Sequence, residues 1–345
     1  MLTRGLIALV AIVGGLATPS AANAASVVDV PVTFAVTNSN HSGVPCITDG
    51  AAYTISGHLT GPASKLAAPG PKSATLYLHG LELGEWFWRV PIDGYDHTRE
   101  MAKLGHISVT VDRLGYDSSS QPAGTASCVG GQADIAHQVI TQLRNGTYGG
   151  ATHPRLQRLA LAGHSLGGSI AQVEAYSFKD IQALAVVSYA DTAASPGAVL
   201  ETASWGPTCL AGGASSEGGA PGYAYFTKSV DDFKANFLAH APPAILTYAL
   251  PNRDINPCGD LMSLVSPIPI AALRLHEVTV PVLLIAGSDD TVVQASGVRN
   301  QKLFYLGSRD VTVSIVNGAT HGLTLEPTVV DFRGRLDSWL GARGF

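Results

Sequence analysis

The sequence predicts an α/β fold with a mostly parallel β-sheet and helices on both of its faces. Short, continuous apolar runs alternate along the chain with helix-compatible segments, and several of the runs stop at a glycine. Strands that are buried on both faces have this continuous pattern, whereas half-exposed strands alternate apolar and polar residues. The chain has 345 residues, 46% apolar and 14% charged. This length fits two domains or one large α/β domain with an insertion, and this composition excludes a disordered chain.

The predicted elements alternate between strand and helix through most of the chain. We predict strands at 27–35, 52–59, 74–79, 106–112, 158–163, 182–188, 280–287 and 311–316, and helices around 97–104, 132–144, 166–178 and 326–340. The central runs end in glycine or in polar residues, so the positions that follow them are expected to carry loops at one edge of the sheet.

A segment from 191 to 275 interrupts this alternation. It is rich in Gly, Ser and Pro, and it contains several aromatic residues, among them Trp205, Tyr223, Tyr225 and Phe226. An irregular segment of this length is uncommon without a function. We therefore predict an inserted lid or cap with some helical structure of its own, and we call residues 191–275 the insertion. The core then consists of residues 25–190 and 276–345.

The first 24 residues have the pattern of a secretory signal peptide. Arg4 precedes an apolar run at 5–17, and the segment ends in Ala22-Asn23-Ala24, which resembles a cleavage site. The alternative is a buried N-terminal helix. The run is shorter than a bilayer span, and no later run is long enough, so we predict a secreted protein without stable membrane insertion. A net charge of −5 and the lack of any Lys/Arg cluster exclude a nucleic-acid partner.

The four cysteines predict two disulfides if the protein is exported. An even cysteine count is typical of disulfides in an oxidising compartment, and the C-x-x-C spacing of metal sites is missing. Four cysteines allow three pairings. We favour Cys46 with Cys128 and Cys209 with Cys258, because each pair then lies within one region of the predicted structure.

The candidate catalytic centre is Gly163-His164-Ser165-Leu166-Gly167. The G-x-S-x-G pattern recurs by chance, but here a predicted strand leads into it and a helix-compatible segment follows. This context is that of a nucleophile elbow, a sharp turn that exposes the serine hydroxyl near a helix N-terminus. The alternative is a tight strand-to-helix turn without a catalytic role. We predict Ser165 as the nucleophile.

A serine nucleophile needs a base and a carboxylate that orients the base. With this type of elbow the chain order is serine, acid, histidine. His321 follows the last predicted strand and is the only histidine after the candidate acids. Asp289 and Asp290 both follow the strand at 280–287, and we favour Asp290.

Two backbone N–H groups are expected to stabilise the oxyanion of the reaction. One donor is Leu166, directly after the nucleophile. The other is Leu81, in the loop that His79-Gly80 opens after the strand at 74–79. The alternative for His79-Gly80 is an ordinary strand-ending glycine.

These motifs together resemble the α/β-hydrolases of the lipase and esterase type. The resemblance rests on His79-Gly80, the loop 112–118, the elbow at Ser165, the acid at 287–290 and His321-Gly322. It implies an eight-stranded, mostly parallel sheet, a lid between strands six and seven, and catalysis without a metal or other cofactor. The family pattern D-x-x-G-x-G-x-S in the loop 112–118 has Asp117 in place of its second glycine, a departure outside the triad.

The resemblance and the residue types favour hydrolysis of a small-molecule carboxylic ester or lactone. Haloalkane dehalogenases and related epoxide hydrolases resemble this chain in layout but have aspartate as nucleophile, so Ser165 argues against both. Predicted secretion disfavours intracellular thioesterases and C–C bond hydrolases. The alternatives are a cofactor-free haloperoxidase or perhydrolase and a small-ligand-binding protein without catalysis, since fold alone does not determine function.

A cluster of aromatic residues follows the predicted oxyanion loop. We predict that Trp86, Phe87 and Trp88 line an apolar substrate pocket. The alternative is that they pack a helix against the sheet.

Overall fold

The computed structural model describes residues 26–214 and 221–345, so the predicted signal peptide at 1–24 lies outside the described residues. The strands in chain order are β1 Val27–Thr37, β2 Ala52–Pro62, β3 Lys72–Leu78, β4 Ser108–Val111, β5 Gly149–Gly150, β6 Leu156–His164, β7 Ala183–Val187, β8 Tyr223–Ala224, β9 Asn256–Pro257, β10 Val282–Gly287 and β11 Val311–Val316. The helices are α1 Ala63–Ala67, α2 His97–Lys103, α3 Val129–Asn145, α4 Leu166–Phe178, α5 Pro196–Leu210, α6 Val230–Phe237, α7 Pro243–Ala249, α8 Cys258–Met262, α9 Pro267–Arg274, α10 Ala295–Gln301 and α11 Val329–Gly341.

The main sheet confirms the predicted α/β fold. Its strand order is β11-β10-β7-β6-β3-β4-β2-β1-β5, and the six strands from β11 to β4 are parallel. β2, β1 and β5 continue the sheet in antiparallel pairs. In the part of the chain that the structure describes, the sheet therefore has nine strands, one more than the predicted eight. The addition is β5, a pair of glycines that is too short to carry a strand pattern.

The parallel strands are buried on both faces, as their apolar runs predict. In β6, Leu159 and Leu161 belong to one hydrophobic cluster, whereas Ala160 and Ala162 belong to a second cluster. All four side chains are buried. Because successive side chains of a strand point to opposite faces, the two clusters lie on the two sides of the sheet.

Side chains of α3 occupy part of the outer edge of β1. The Gln138 amide accepts a hydrogen bond from the Thr37 N–H (2.8 Å) and donates one to the Thr37 carbonyl (2.8 Å). The Gln142 amide donates to the Ala35 carbonyl at 2.9 Å. Farther along β1, β5 pairs with Val32 and Thr33. The outer edge of β1 is thus covered in two ways, by glutamine side chains of α3 at its end and by β5 farther along.

The insertion lies between β7 and β10, the sixth and seventh strands of the sheet when β5 is left out. It carries helices α5 to α9 and the two-stranded sheet of β8 and β9.

Both favoured disulfide pairings are present. Cys46–Cys128 links the loop after β1 to the residue before α3, and Cys209–Cys258 links the end of α5 to the start of α8. In the ranges that the structure describes, no helix has the length and hydropathy of a membrane span.

Candidate active site

The register of the parallel strands brings the predicted catalytic motifs to one edge of the sheet. Leu78 at the end of β3 pairs with Gly163 of β6, and His164 pairs with Val187 at the end of β7. The loop after β3 therefore begins next to Ser165. This carboxyl edge of a parallel sheet is where α/β proteins place their ligand sites.

Ser165 has the strained backbone of a nucleophile elbow. Its φ is 52° and its ψ is −122°, between the end of β6 and the first residue of α4. A Cβ atom on Gly163 would lie 2.0 Å from the Gly167 carbonyl oxygen, and one on Gly167 would lie 2.6 Å from the His79 carbonyl oxygen. Both glycines are therefore required for the turn, and the half-buried Ser165 lies at its tip, where it lines a cavity.

His321 and Asp290 form a buried pair. The His321 Nδ1 atom lies 2.8 Å from Asp290 Oδ2, and both side chains are inaccessible to solvent. Asp290 Oδ1 accepts the N–H groups of Val292 (2.9 Å) and Val293 (2.8 Å), which fixes the carboxylate. An ionised carboxylate only accepts hydrogen bonds, so in the neutral-ring tautomer that fits this contact Nδ1 carries the proton and Nε2 has the lone pair.

The second candidate acid has a different environment. The Asp289 side chain is exposed, and its Oδ1 atom accepts the Ser288 hydroxyl at 2.7 Å. Asp290 is thus the aspartate that the structure joins to His321. In the described part of the chain the His321 Nε2 atom is buried and has no hydrogen-bond partner.

The two predicted oxyanion donors line one cavity together with Ser165. Leu81, Leu166 and Ser165 all contact this cavity, and the backbone N–H groups of Leu81 and Leu166 donate to no other described residue. Within the described residues both N–H groups thus lack an acceptor, as the oxyanion role requires.

His79 and Arg113 hold the loop that carries Leu81. The Arg113 N–H donates to His79 Nε2 at 3.0 Å, so the neutral ring carries its proton on Nδ1 and donates it to the Gly80 carbonyl at 2.8 Å. The Arg113 guanidinium donates to the carbonyls of His79 (3.0 Å) and Gly80 (3.3 Å). Burial, followed by the charge of Arg113, holds the pKa of His79 well below its ordinary value. His79 is thus neutral, and its hydrogen bonds help to hold the loop in place.

The cavity beside Ser165 has a volume of about 280 Å³ and is mainly apolar. Besides the three residues above, its lining consists of Tyr189, Ala190, Asp191, Ala194, Phe226, Leu264, Val265, Ile268, Val292 and Val293. Most of these ten residues belong to the insertion, which therefore supplies much of the cavity wall.

A model described as the alpha/beta hydrolase family matches residues 76–331, which is most of the chain and includes every motif described above. The chain belongs to the alpha/beta hydrolase family. No curated protein matches its sequence.

Solved structures with the same hydrolase fold come from distant relatives. A thermophilic esterase from Thermogutta terrifontis is 15% identical with a TM-score of 0.60, and the match covers 90% of this chain and 99% of that one. An enol-lactonase from Burkholderia xenovorans is 14% identical with a TM-score of 0.60 over 84% and 97% of the two chains. A monoacylglycerol lipase from Paleococcus ferrophilus is 17% identical with a TM-score of 0.56 over 79% and 97%. At these identities the likeness establishes the fold.

The three residues of the predicted aromatic pocket lie away from the lining of the cavity beside Ser165. Trp86, Phe87 and Trp88 are buried in a hydrophobic cluster, and among the described residues that line the cavity beside Ser165 none of the three occurs. Trp88 packs against Tyr77 with ring centroids 4.9 Å apart. This burial favours the packing alternative for the three residues, since apolar side chains have the same sequence pattern in a core and in a pocket.

Two buried side chains that bind the backbone at Thr320 and His321 were not predicted from the sequence. The His164 Nε2 atom donates to the His321 backbone carbonyl at 2.8 Å, and burial, followed by the electrostatic influence of the neighbouring His321 ring, lowers the pKa of His164 well below its ordinary value. Glu326 accepts the N–H (2.9 Å) and the hydroxyl (2.7 Å) of Thr320. Both contacts fix the backbone of the histidine loop. The only available signal was the position of His164 within the elbow motif.

One group of described side chains in this hydrolase could offer three ligand atoms to a metal ion. It consists of His137, Glu174 and Asp180, whose ligand atoms lie within 4.8 Å of one another. His137 Nδ1 lies 2.8 Å from Asp180 Oδ2, and burial, followed by the neighbouring Asp180, raises the pKa of Glu174 well above its ordinary value. The group lies at the C-terminal end of α4, whereas Ser165 precedes its N-terminal end.

Proposed function

We propose that this alpha/beta hydrolase cleaves carboxylic esters or lactones by nucleophilic catalysis, with Ser165, His321 and Asp290 as its triad. The observation that carries the proposal is the buried His321–Asp290 hydrogen bond of 2.8 Å at the sheet edge that also presents the strained Ser165. This bond leaves Nε2 as the base, which is the state that a serine nucleophile requires.

The proposed reaction has two halves. In the first, His321 Nε2 removes the Ser165 proton as the hydroxyl attacks the carbonyl carbon, and the N–H groups of Leu81 and Leu166 bind the oxyanion. The resulting imidazolium gives its proton to the leaving alcohol, and the acyl group stays on the serine. In the second half, water attacks the acyl-enzyme with the same proton transfers. Asp290 keeps the imidazole in the required tautomer and stabilises its cation.

The apolar lining of the cavity favours a substrate that has an apolar group adjacent to its carbonyl. The wall combines aliphatic and aromatic side chains from the core and from the insertion, including Phe226, Leu264 and Ile268. Such a wall binds a substrate mainly by burying its apolar surface. We propose that the insertion acts as a cap over this part of the site, and that the enzyme works outside the cell, where its two disulfides are stable.

The decisive experiment measures hydrolysis of p-nitrophenyl esters and simple lactones by the purified chain and by Ser165→Ala. We expect wild-type turnover, covalent labelling by a fluorophosphonate, and a loss of at least about a thousandfold in kcat/KM for the variant. Equal turnover by Ser165→Ala would refute the serine nucleophile. Peroxide-dependent bromination faster than ester hydrolysis would favour the haloperoxidase alternative.

The two neighbouring aspartates provide a matched test of the acid. Asp290→Asn should lower kcat by orders of magnitude because the histidine loses its orienting carboxylate. Asp289→Asn changes the adjacent, exposed side chain and should leave kcat within about twofold of wild type. The reverse ranking would assign the acid to Asp289.

A further inference from the structure

The residue that follows the proposed oxyanion donor has an unusual environment. Glu82 directly follows Leu81, has a φ of 59°, and is inaccessible to solvent. A left-handed backbone is unfavourable for a residue with a Cβ atom and persists only where the surroundings enforce it. A carboxyl group in such a position also needs partners for its oxygens. Glu82 therefore has both an unfavourable backbone conformation and a buried carboxyl group, next to the proposed oxyanion donor.

The insertion binds the backbone of Glu82 on both sides. The Glu82 N–H donates to the Asn256 side-chain oxygen at 2.7 Å. The Glu82 carbonyl accepts the Asp254 N–H at 3.0 Å. Both partners lie two residues apart on one stretch of the insertion, so this stretch determines the orientation of the Glu82 backbone.

The insertion also binds the Glu82 carboxylate. One oxygen accepts the Thr227 N–H (2.9 Å) and the Arg253 guanidinium (2.9 Å), and the other accepts the Thr227 hydroxyl (2.8 Å). The Arg253 side chain is only 7% exposed. Charge-assisted hydrogen bonds of this kind are among the stronger polar contacts in proteins.

The two ends of the oxyanion loop are thus held by different parts of the molecule. The Gly80 carbonyl, bound by His79 and Arg113, lies in the same rigid peptide plane as the Leu81 N–H. Fixing that carbonyl aims the N–H in the opposite direction. Beyond Leu81 the chain is fixed again at Glu82.

We propose that Glu82 is a positioning residue for the oxyanion site and that Thr227, Arg253 and Asn256 of the insertion set its position. This inference rests on the proposed function, because it requires the Leu81 N–H to bind the oxyanion. The insertion then does more than cover the cavity: the stretch that contacts Glu82 is part of the scaffold of the reaction centre and stays in place during turnover.

The test compares Glu82→Ala and Arg253→Met with the wild type on a p-nitrophenyl ester that the enzyme hydrolyses. Rates are divided by the concentration of active sites titrated with a fluorophosphonate. Oxyanion contacts form in the transition state and contribute little to ground-state binding. We therefore expect kcat per titrated site to fall about tenfold or more in both variants, with KM changed by less than about threefold.

Two further variants separate this role from a general loss of stability. Arg253→Lys retains a cation and should recover part of the lost kcat. Glu277→Gln removes a carboxylate that contacts Arg274 and Lys179, both at 2.9 Å, away from the oxyanion loop. It should leave kcat per titrated site within about twofold of wild type while lowering the melting temperature.

The outcomes distinguish the two proposals. If Glu82→Ala and Arg253→Met have a lower melting temperature or fewer titratable sites but wild-type kcat per site, Glu82 is structural only and the inference is overturned. If Glu82→Ala does not fold, Arg253→Met alone decides in the same way. A wild type that neither reacts with the fluorophosphonate nor turns over esters would overturn the proposed function itself.

Discussion

Replacing Asp260 with asparagine should destabilise the protein far more than the same substitution at a surface ion pair. Asp260 belongs to the insertion, and its buried carboxylate lies 2.7 Å from the Arg113 guanidinium of the core. The carboxylate also accepts the hydroxyls of Tyr116 (3.0 Å) and Ser127 (2.5 Å). Arg113 itself is almost completely buried.

The expected magnitude follows from the burial of both partners. Removing the negative charge leaves the Arg113 cation uncompensated in the interior, which costs about 3–5 kcal/mol. Asp310 and Arg343 form the matched surface pair at 2.6 Å, with the aspartate side chain 44% exposed. Water screens that pair, so Asp310→Asn should cost only about 0–1 kcal/mol.

Urea unfolding followed by tryptophan fluorescence measures both free energies of unfolding by linear extrapolation. In addition, Arg113→Met should cost much less in the Asp260→Asn background than in the wild type, because the two side chains are coupled. Equal losses for Asp260→Asn and Asp310→Asn would refute the argument from burial.

Two more predictions concern Trp88 and the neighbouring buried His97, whose ring centroids lie 5.4 Å apart. Burial, followed by the charge of Arg333, lowers the pKa of His97 from 6.5 to about 3, so the unfolded chain binds the extra proton between these values and acid should destabilise the fold. His97→Phe should make the dependence of unfolding free energy on pH shallower over that range in urea titrations, and an unchanged slope would contradict this origin. Trp88→Ala should cost about 3–5 kcal/mol through the cavity that it leaves, with turnover per titrated active site close to wild type. A large loss of turnover without loss of stability would restore the pocket assignment for Trp88.

The parts of the fold that the sequence predicts are those with a local pattern. Strands of a parallel sheet have continuous apolar runs, and the G-x-S-x-G motif has two glycines with a steric reason that is local to the turn. The position of His321 follows from chain order alone. These features therefore need no knowledge of distant contacts.

The choice between Asp289 and Asp290 depends on side-chain direction. Both residues follow the same strand, and one points to solvent while the other points to His321. The sequence favours Asp290, but only the bonds from Val292 and Val293 give the reason, since they hold its carboxylate in the interior.

The partners of the oxyanion loop could not be predicted from sequence. Glu82 is separated from Thr227 by 145 positions and from Arg253 by 171. No periodicity or spacing connects residues so far apart. Long-range polar contacts of this kind form only when the insertion folds against the core. From the sequence, the segment 191–275 is recognised only by its Gly, Ser and Pro content and by the break in the strand–helix alternation.

The glutamines of α3 have a consequence for the behaviour of the protein in solution. An uncovered edge strand offers its N–H and C=O groups to the strands of other molecules and so promotes aggregation. Gln138 and Gln142 occupy such groups of Thr37 and Ala35 with side-chain amides, and they do so without adding a strand. A helix surface thereby acts as a barrier against intermolecular β-pairing at the end of β1 that β5 does not reach.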